Sequence, residues 1–440
     1  MYDFKKFQVY TVRNFNQISQ LQRLSSSDRH AIEVVGNVLP FKVNNYVIEE
    51  LIDWNNIPED PIYQLTFPQK DMLSPAHFRE MERVLSQKQN SQQIASRANH
   101  IRFSLNPHPA GQTSNVPMLD GQRLAGMQHK YREIVLFFPS NSQTCHAYCT
   151  FCFRWPQFVG VDGLKFAMRE SDLLARYVKK HTEVTDILFT GGDPMVMAAH
   201  TFEKYLQPFL TQKISNIQTI RIGSKSLAYW PYRYLSDTDS DDMLRLFEQI
   251  VKKGYHLAFM AHFNHPQELQ TPAVRQAIRR IRNTGAQIRT QSPVMQNIND
   301  NSHDWREMWK EQVKLGCIPY YMFIARDTGA QEYFAVSLER AWDIYRKAYQ
   351  RVSGIARTVR GPSMSAAPGK VQILGVSEVL NQKVFVLQFL QGRDPDWVGK
   401  PFFAKYDPEA IWFDKLKPAF ADRFFFEEES MQFSDMGLKR

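Results

Sequence analysis

The stretch Ile134-Val135-Leu136-Phe137-Phe138-Pro139, followed five residues later by Cys145-His146-Ala147-Tyr148-Cys149-Thr150-Phe151-Cys152, sets three thiols just downstream of a short apolar run. A run of that length and composition predicts a buried strand, so the C-x3-C-x2-C cluster lies on the loop at the strand's C-terminal end. Five more apolar runs follow: DILFTGG from Asp186, TIRIGS from Thr219, HLAFMAHF from His256, AQIRTQSPV from Ala286 and YYMFIA from Tyr320. Between most of them lie amphipathic stretches such as SDLLARYVKK from Ser171 and PAVRQAIRRIRNTG from Pro272. Parallel strands need such crossovers, so the pattern predicts an α/β fold with six β-α units, short of a closed eight-fold barrel. Chemistry on such a barrel belongs on the loops at the C-terminal ends of the strands.

Residues 1–115 are polar and rich in Gln and Asn, and predict a helical N-terminal cap. Residues 116–340 carry the barrel. Residues 341–440 form a C-terminal α+β extension with a helix (AWDIYRKAYQRV from Ala341), the segment GPSMSAAPGKVQILG from Gly361 and a strand VFVLQFL from Val384. The chain has 440 residues, 43% hydrophobic and 22% charged, which excludes a disordered or fibrous protein. Its 54 Lys+Arg and 45 Asp+Glu give a net charge of +9, but the cations are scattered, so nucleic acid is not an expected partner. No long apolar run and no signal-peptide pattern occur, so a cytoplasmic protein without a membrane partner is expected.

Four cysteines, three of them within eight residues, are not a disulfide framework. Cys145, Cys149 and Cys152 can ligate three irons of a [4Fe-4S] cluster and leave the fourth open. A structural zinc site needs four ligands, and His146 or the distant Cys317 could complete one. After the second apolar run stands Thr190-Gly191-Gly192-Asp193-Pro194, where two glycines permit close backbone approach beside a carboxylate.

C-x3-C-x2-C after the first strand of a six-unit β/α chain resembles the radical S-adenosylmethionine (radical SAM) superfamily. The resemblance implies a partial (β/α)6 barrel whose open iron chelates SAM. It also implies that Gly191, Gly192 and Asp193 bind SAM. Ordered segments resemble one branch, the lysine 2,3-aminomutase-like radical SAM proteins: DPIYQLTFP, HKYREIVLFF, CHAYCTFCFR, LFTGGDP, IRIGSKSL, HFNHPQEL, TQSPVMQNIND, PYYMFIARDTG and APGK. They run from about residue 50 to residue 370.

That resemblance implies a 2,3-aminomutase in which a 5'-deoxyadenosyl radical takes a β-hydrogen and the α-amino group of an amino acid moves to the β-carbon. Pyridoxal 5'-phosphate (PLP) would rest on Lys370, Tyr131 and Gln291 would contact the cofactors, and Arg154 would grip the substrate carboxylate. A flavodoxin or ferredoxin would supply the electron, and a homo-oligomer is expected. His262, Asn264 and His265 also match; both histidines are expected to be structural.

Three departures from the family pattern stand out. A single glycine, Gly369, precedes the lysine. The basic segment expected to hold PLP reads His129-Lys130-Tyr131-Arg132-Glu133-Ile134. Arg326 and Ala366 occupy the two positions where lysine-specific members place aspartates, although a one-residue shift would restore Asp327. An arginine there would repel a cationic side chain, so free lysine is disfavoured and glutamate or glutamine fits better. Three readings compete with the leading one: a radical SAM enzyme that has lost PLP and performs another hydrogen abstraction, modification of a lysine on a protein, and a zinc-stabilised nucleic-acid-binding protein. Isolated without oxygen, the protein should be brown if the cysteine loop carries iron and sulfide; a colourless, zinc-loaded protein would refute that assignment.

Overall fold

The computed structural model describes residues 5–87, 89–161 and 163–427. The N-terminal region is mostly helical, with β1 (Val9–Thr11) pairing antiparallel to β2 (Lys42–Asn44). Its helices start where the sequence supplies a capping oxygen. Ser25, Ser74 and Asn90 each accept the backbone N–H three residues on, satisfying a donor that the helix itself leaves open. A second short pair, β3 (Met118–Leu119) with β4 (Gln122–Arg123), leads into the main sheet.

That sheet has eleven strands in strictly sequential order. β5 (Met127–Tyr131) lies antiparallel to β6 (Ile134–Phe137). Then follow β7 (Asp186–Phe189), β8 (Thr219–Ser224), β9 (His256–His262), β10 (Gln287–Val294) and β11 (Ile318–Ile324), all parallel to β6. These are the six strands read from the apolar runs, and helices cross between them. The helix Pro272–Asn283 shows why: Val274, Ala277, Ile278 and Ile281 fall at helical spacing and are buried, while its arginines face out. Sheet and helices enclose one hydrophobic core.

A seventh parallel strand, β12 (Arg360–Ser365), adds to β11. Its sequence, RGPSMS, carries no apolar run, so periodicity does not reveal it. Gly361 lets it close: a Cβ there would lie 2.4 Å from the Met322 carbonyl oxygen. β13 (Gly369–Val379) and β14 (Gln382–Gly392) then form a long antiparallel hairpin, and β15 (Pro401–Lys405) ends the sheet. Leu380 and Asn381 at the hairpin tip both have positive φ (51° and 59°), the geometry of a two-residue turn that matches strand twist.

The C-terminal strands thus continue the barrel sheet, with Val371, Ile373, Phe385 and Leu387 buried. Leu387→Ala should cost about 2–5 kcal/mol and lower the Tm of one cooperative transition; a variant that melts its C-terminal strands separately would show that they fold apart from the barrel.

Candidate active site

The cysteine loop leaves β6 and is held from two sides. On one side, the Tyr148 N–H donates to the Lys42 carbonyl (2.8 Å) and the Thr150 N–H to the Leu65 carbonyl (2.9 Å), while Lys42 Nζ reaches Thr144 Oγ1 (3.0 Å). The N-terminal region therefore fixes the loop's backbone. On the other side, the loop after β7 closes in. Gly192 N–H donates to the Ser142 carbonyl (3.0 Å) and Asp193 N–H to the Thr144 carbonyl (2.8 Å). A Cβ on Gly192 would sit 2.2 Å from the Thr144 oxygen, so only glycine allows this approach. The Asp193 carboxylate accepts from Met195 N (2.9 Å), Ser224 Oγ (2.9 Å) and Lys225 N (2.9 Å), tying the loops after β7 and β8 together.

One cavity of about 370 Å³ at the C-terminal end of the parallel strands is lined by Cys145, Cys149, Cys152, Arg154, Gly191, Gly192, Asp193, Tyr131, Gln291, Arg326 and Lys370. Every site residue expected from the sequence thus faces one space. Burial, together with the negative charges of Asp193 and the neighbouring sulfurs, pushes the Cys145 thiol up; burial and Cys149 push Cys152 up to about 12. Thiols so placed shed their protons when a metal takes them. Among the described residues no three His, Cys, Asp or Glu side chains group around a single metal ion. A three-cysteine loop facing a cavity fits a cluster, in which each thiolate binds its own iron. Cys317 precedes β11 at the opposite end of the parallel sheet and faces Arg282, out of reach of the loop. The His146 ring lies edge-on to Phe7, with Nδ1 buried and unpartnered.

Lys370, on β13, lies over the Tyr321 ring with Nζ 4.1 Å from its centre. Burial first, then Arg360, Arg221, Lys130 and Arg326, lower its ammonium to about 7. Lys130 Nζ donates to the Ala366 carbonyl, and burial with Arg393 and Arg326 lowers it likewise to about 7. Arg154 stacks on Phe138 (4.6 Å) and Phe153 (5.0 Å), and its Nη1 is buried without a partner. Arg326, not Asp327, lines the cavity; Asp327 turns to Asn106, whose Nδ2 lies 3.2 Å from Oδ2.

His262 stacks on Phe151 and burial lowers it to about 3, so it is neutral. His265 accepts Gln267 N–H at Nδ1, and its Nε2 faces Asp304 at 3.7 Å. Asn264 binds Ser292 and Lys225. Two cavity cations were not singled out from the sequence, Lys225, paired with Glu268 (2.6 Å), and Arg221, whose Nε donates to Asp186 Oδ1 (2.7 Å); nor was Arg360, stacked on Tyr320 and Tyr321 and close enough to Lys370 to act on its charge. Arg221 was legible as the charged residue inside the apolar alternation TIRIGS.

No family model matches the chain. A curated protein of Aquifex aeolicus (strain VF5), named "Putative L-lysine 2,3-aminomutase", is 30% identical over 395 residues, 90% of this chain and 92% of its own. The L-lysine 2,3-aminomutase of Methanococcus maripaludis is 23% identical, covering 79% of this chain and 68% of its own. A radical SAM methyltransferase from Sphaerobacter thermophilus overlaps 55% of this chain and 71% of its own at 14% identity and a TM-score of 0.36, too slight a likeness to carry an argument. On the strength of the sequence relatives, the chain belongs to the lysine 2,3-aminomutase-like family of radical SAM proteins. It is a radical SAM aminomutase, an isomerase whose family implies a [4Fe-4S] cluster and SAM. No helix among the described residues is long and apolar enough to cross a membrane.

A lysine whose folded pKa is depressed leaves the unfolded chain holding more protons between about 7 and its ordinary value near 10.4. Stability therefore rises with pH across that window, and the penalty is full below it. Lys370→Met should stabilise the protein by a few kcal/mol near pH 6, with the gain shrinking towards pH 10, as read by paired thermal melts. An equal Tm difference at all pH values would refute the depressed ammonium.

Proposed function

We propose that the protein is a PLP-dependent 2,3-aminomutase that moves the α-amino group of an amino acid other than lysine to its β-carbon. The observation that carries this reading is Lys370: an ammonium lowered to about 7, among cations, in the same cavity as the three thiols. A lysine lowered towards neutrality gives up its proton more readily, as a Schiff-base lysine must. Cys145, Cys149 and Cys152 would hold the cluster, and the Gly191-Gly192 turn with Asp193 would seat SAM.

Lys130 and Arg221 fit an anionic cofactor through their charge, and Gln291 through its side-chain amide. When bound, the cluster and SAM supply a primary carbon radical that takes a hydrogen atom, and PLP supplies a conjugated system that spreads an unpaired electron. The chain does the rest. Arg154 fixes a substrate carboxylate beside the cysteine loop, and its planar fork sets the amino acid's orientation. The aromatic walls of Phe151, Phe153 and Tyr321 exclude water from a reactive radical. Reductive cleavage of SAM requires one electron, which we assign to a flavodoxin or ferredoxin.

The substrate follows from Arg326, which stands inside the cavity without a close carboxylate, its nearest being Asp327 at 3.9 Å. A cationic side chain meets like charge there.

Changing Cys145, Cys149 or Cys152 to Ala should abolish release of 5'-deoxyadenosine, and retained cleavage would overturn the cluster assignment. Borohydride treatment of PLP-supplied, cluster-loaded protein should leave a pyridoxyl group on the Lys370 peptide; its absence there by mass spectrometry would overturn PLP dependence.

A further inference from the structure

The cavity is strongly unbalanced in charge. Among the described residues six cationic side chains line it, Lys130, Arg154, Arg221, Lys225, Arg326 and Lys370, against one carboxylate, Asp193. Two of the six are already answered, Arg221 by Asp186 and Lys225 by Glu268. Lys130 has a carbonyl, and Lys370 has the ring of Tyr321.

Arg154 and Arg326 differ from the rest. Both guanidinium groups lie over the same ring, Phe153, at 5.0 and 5.1 Å from its centre. Each keeps a buried N–H with no hydrogen-bond acceptor among the described residues, Nη1 of Arg154 and Nε of Arg326. Arg326 makes one hydrogen bond, Nη2 to the Pro109 carbonyl at 3.3 Å, and its Nε stands 3.9 Å from Asp327 Oδ1, a contact too long for a hydrogen bond. Two like charges held against one ring raise each other's cost, and an anion between them offsets it.

Resting on the aminomutase reading above, we infer that the substrate is a dicarboxylic amino acid, with its α-carboxylate on Arg154 and its side-chain carboxylate on Arg326. Phe153 is the spacer that sets the distance between the two forks. Both guanidiniums hold to one ring, which limits their separation to a span that a short dicarboxylate of the aspartate or glutamate type can bridge. A side-chain amide would leave Arg326 with Asp327 at 3.9 Å as its one counter-charge, and a side-chain ammonium would add a further cation to Arg326 and Lys130. A site whose buried donors await a carboxylate rejects analogues that lack it.

The test begins with binding alone. Glutarate carries two carboxylates and no amine, so it needs neither PLP nor SAM. It should raise the Tm of the purified protein and bind at least tenfold tighter than its monoamide. Arg326→Gln and Arg154→Gln should each remove that preference, and Arg326→Lys should restore part of it. Equal binding of glutarate and its monoamide to the unaltered protein would overturn the clamp whatever the variants do.

Turnover then separates the clamp from the reaction. With the loaded enzyme, glutamate or aspartate should yield the β-amino acid, and Arg326→Gln should raise KM for it at least tenfold with little change in kcat. Faster turnover of lysine than of either would overturn the dicarboxylate substrate while leaving the aminomutase standing. Glutarate binding through both arginines, with SAM cleaved but no amino group moved, would overturn the aminomutase reading and keep the clamp.

Discussion

The contact on which the site depends is made by backbone, not by side chains. The turn at Gly191-Gly192 lies against residues 142–144, close enough for Gly192 and Asp193 N–H groups to reach the Ser142 and Thr144 carbonyls. This joins the ends of β6 and β7 and fixes the start of the cysteine loop. The Asp193 carboxylate passes the constraint on to the end of β8 through Ser224 and Lys225. Lys225 in turn holds Glu268 and Asn264 after β9. Four consecutive strand ends are thereby locked around one mouth, and the thiols inherit a fixed position.

Within that frame the cavity's ionisable groups are buried and mostly cationic. Burial raises the thiols and lowers the lysines, which are two consequences of one cost, that of charge in a low dielectric. The same environment makes an anionic ligand the cheapest way to relieve the imbalance. The cavity therefore selects its contents by charge before it selects them by shape.

Much of this was written in the sequence. The six apolar runs became β6 to β11 because strand length and burial leave a strong pattern, and the three cysteines and the glycine pair are short-range signals whose spacing survives folding. The seventh parallel strand was not legible, because RGPSMS fits its neighbour through Gly361 and not through apolar side chains. Arg360 and Lys225 were equally silent. Their roles arise from rings and carboxylates brought to them by tertiary structure: Arg360 meets Tyr320 and Tyr321, some 40 positions earlier. The sequence left Arg326 and Asp327 open; in the fold Arg326 lines the cavity while Asp327, 3.9 Å from it, reaches Asn106 of the N-terminal region.

The anchoring of the cysteine loop also bears on the order of assembly. Its neighbours Lys42 and Leu65 come from the first part of the chain, and the contacts from Lys42 to Thr144 and from Thr150 to Gln64 span 102 and 86 positions. Lys370 enters still later, on a hairpin that must add to an existing sheet edge. Contacts of such long range form only after loop closure has been overcome, so they come late on the route to the native state. The thiol loop reaches its final geometry only when both termini of the fold have found the barrel, which makes insertion of an iron-sulfur group an event of the nearly finished protein.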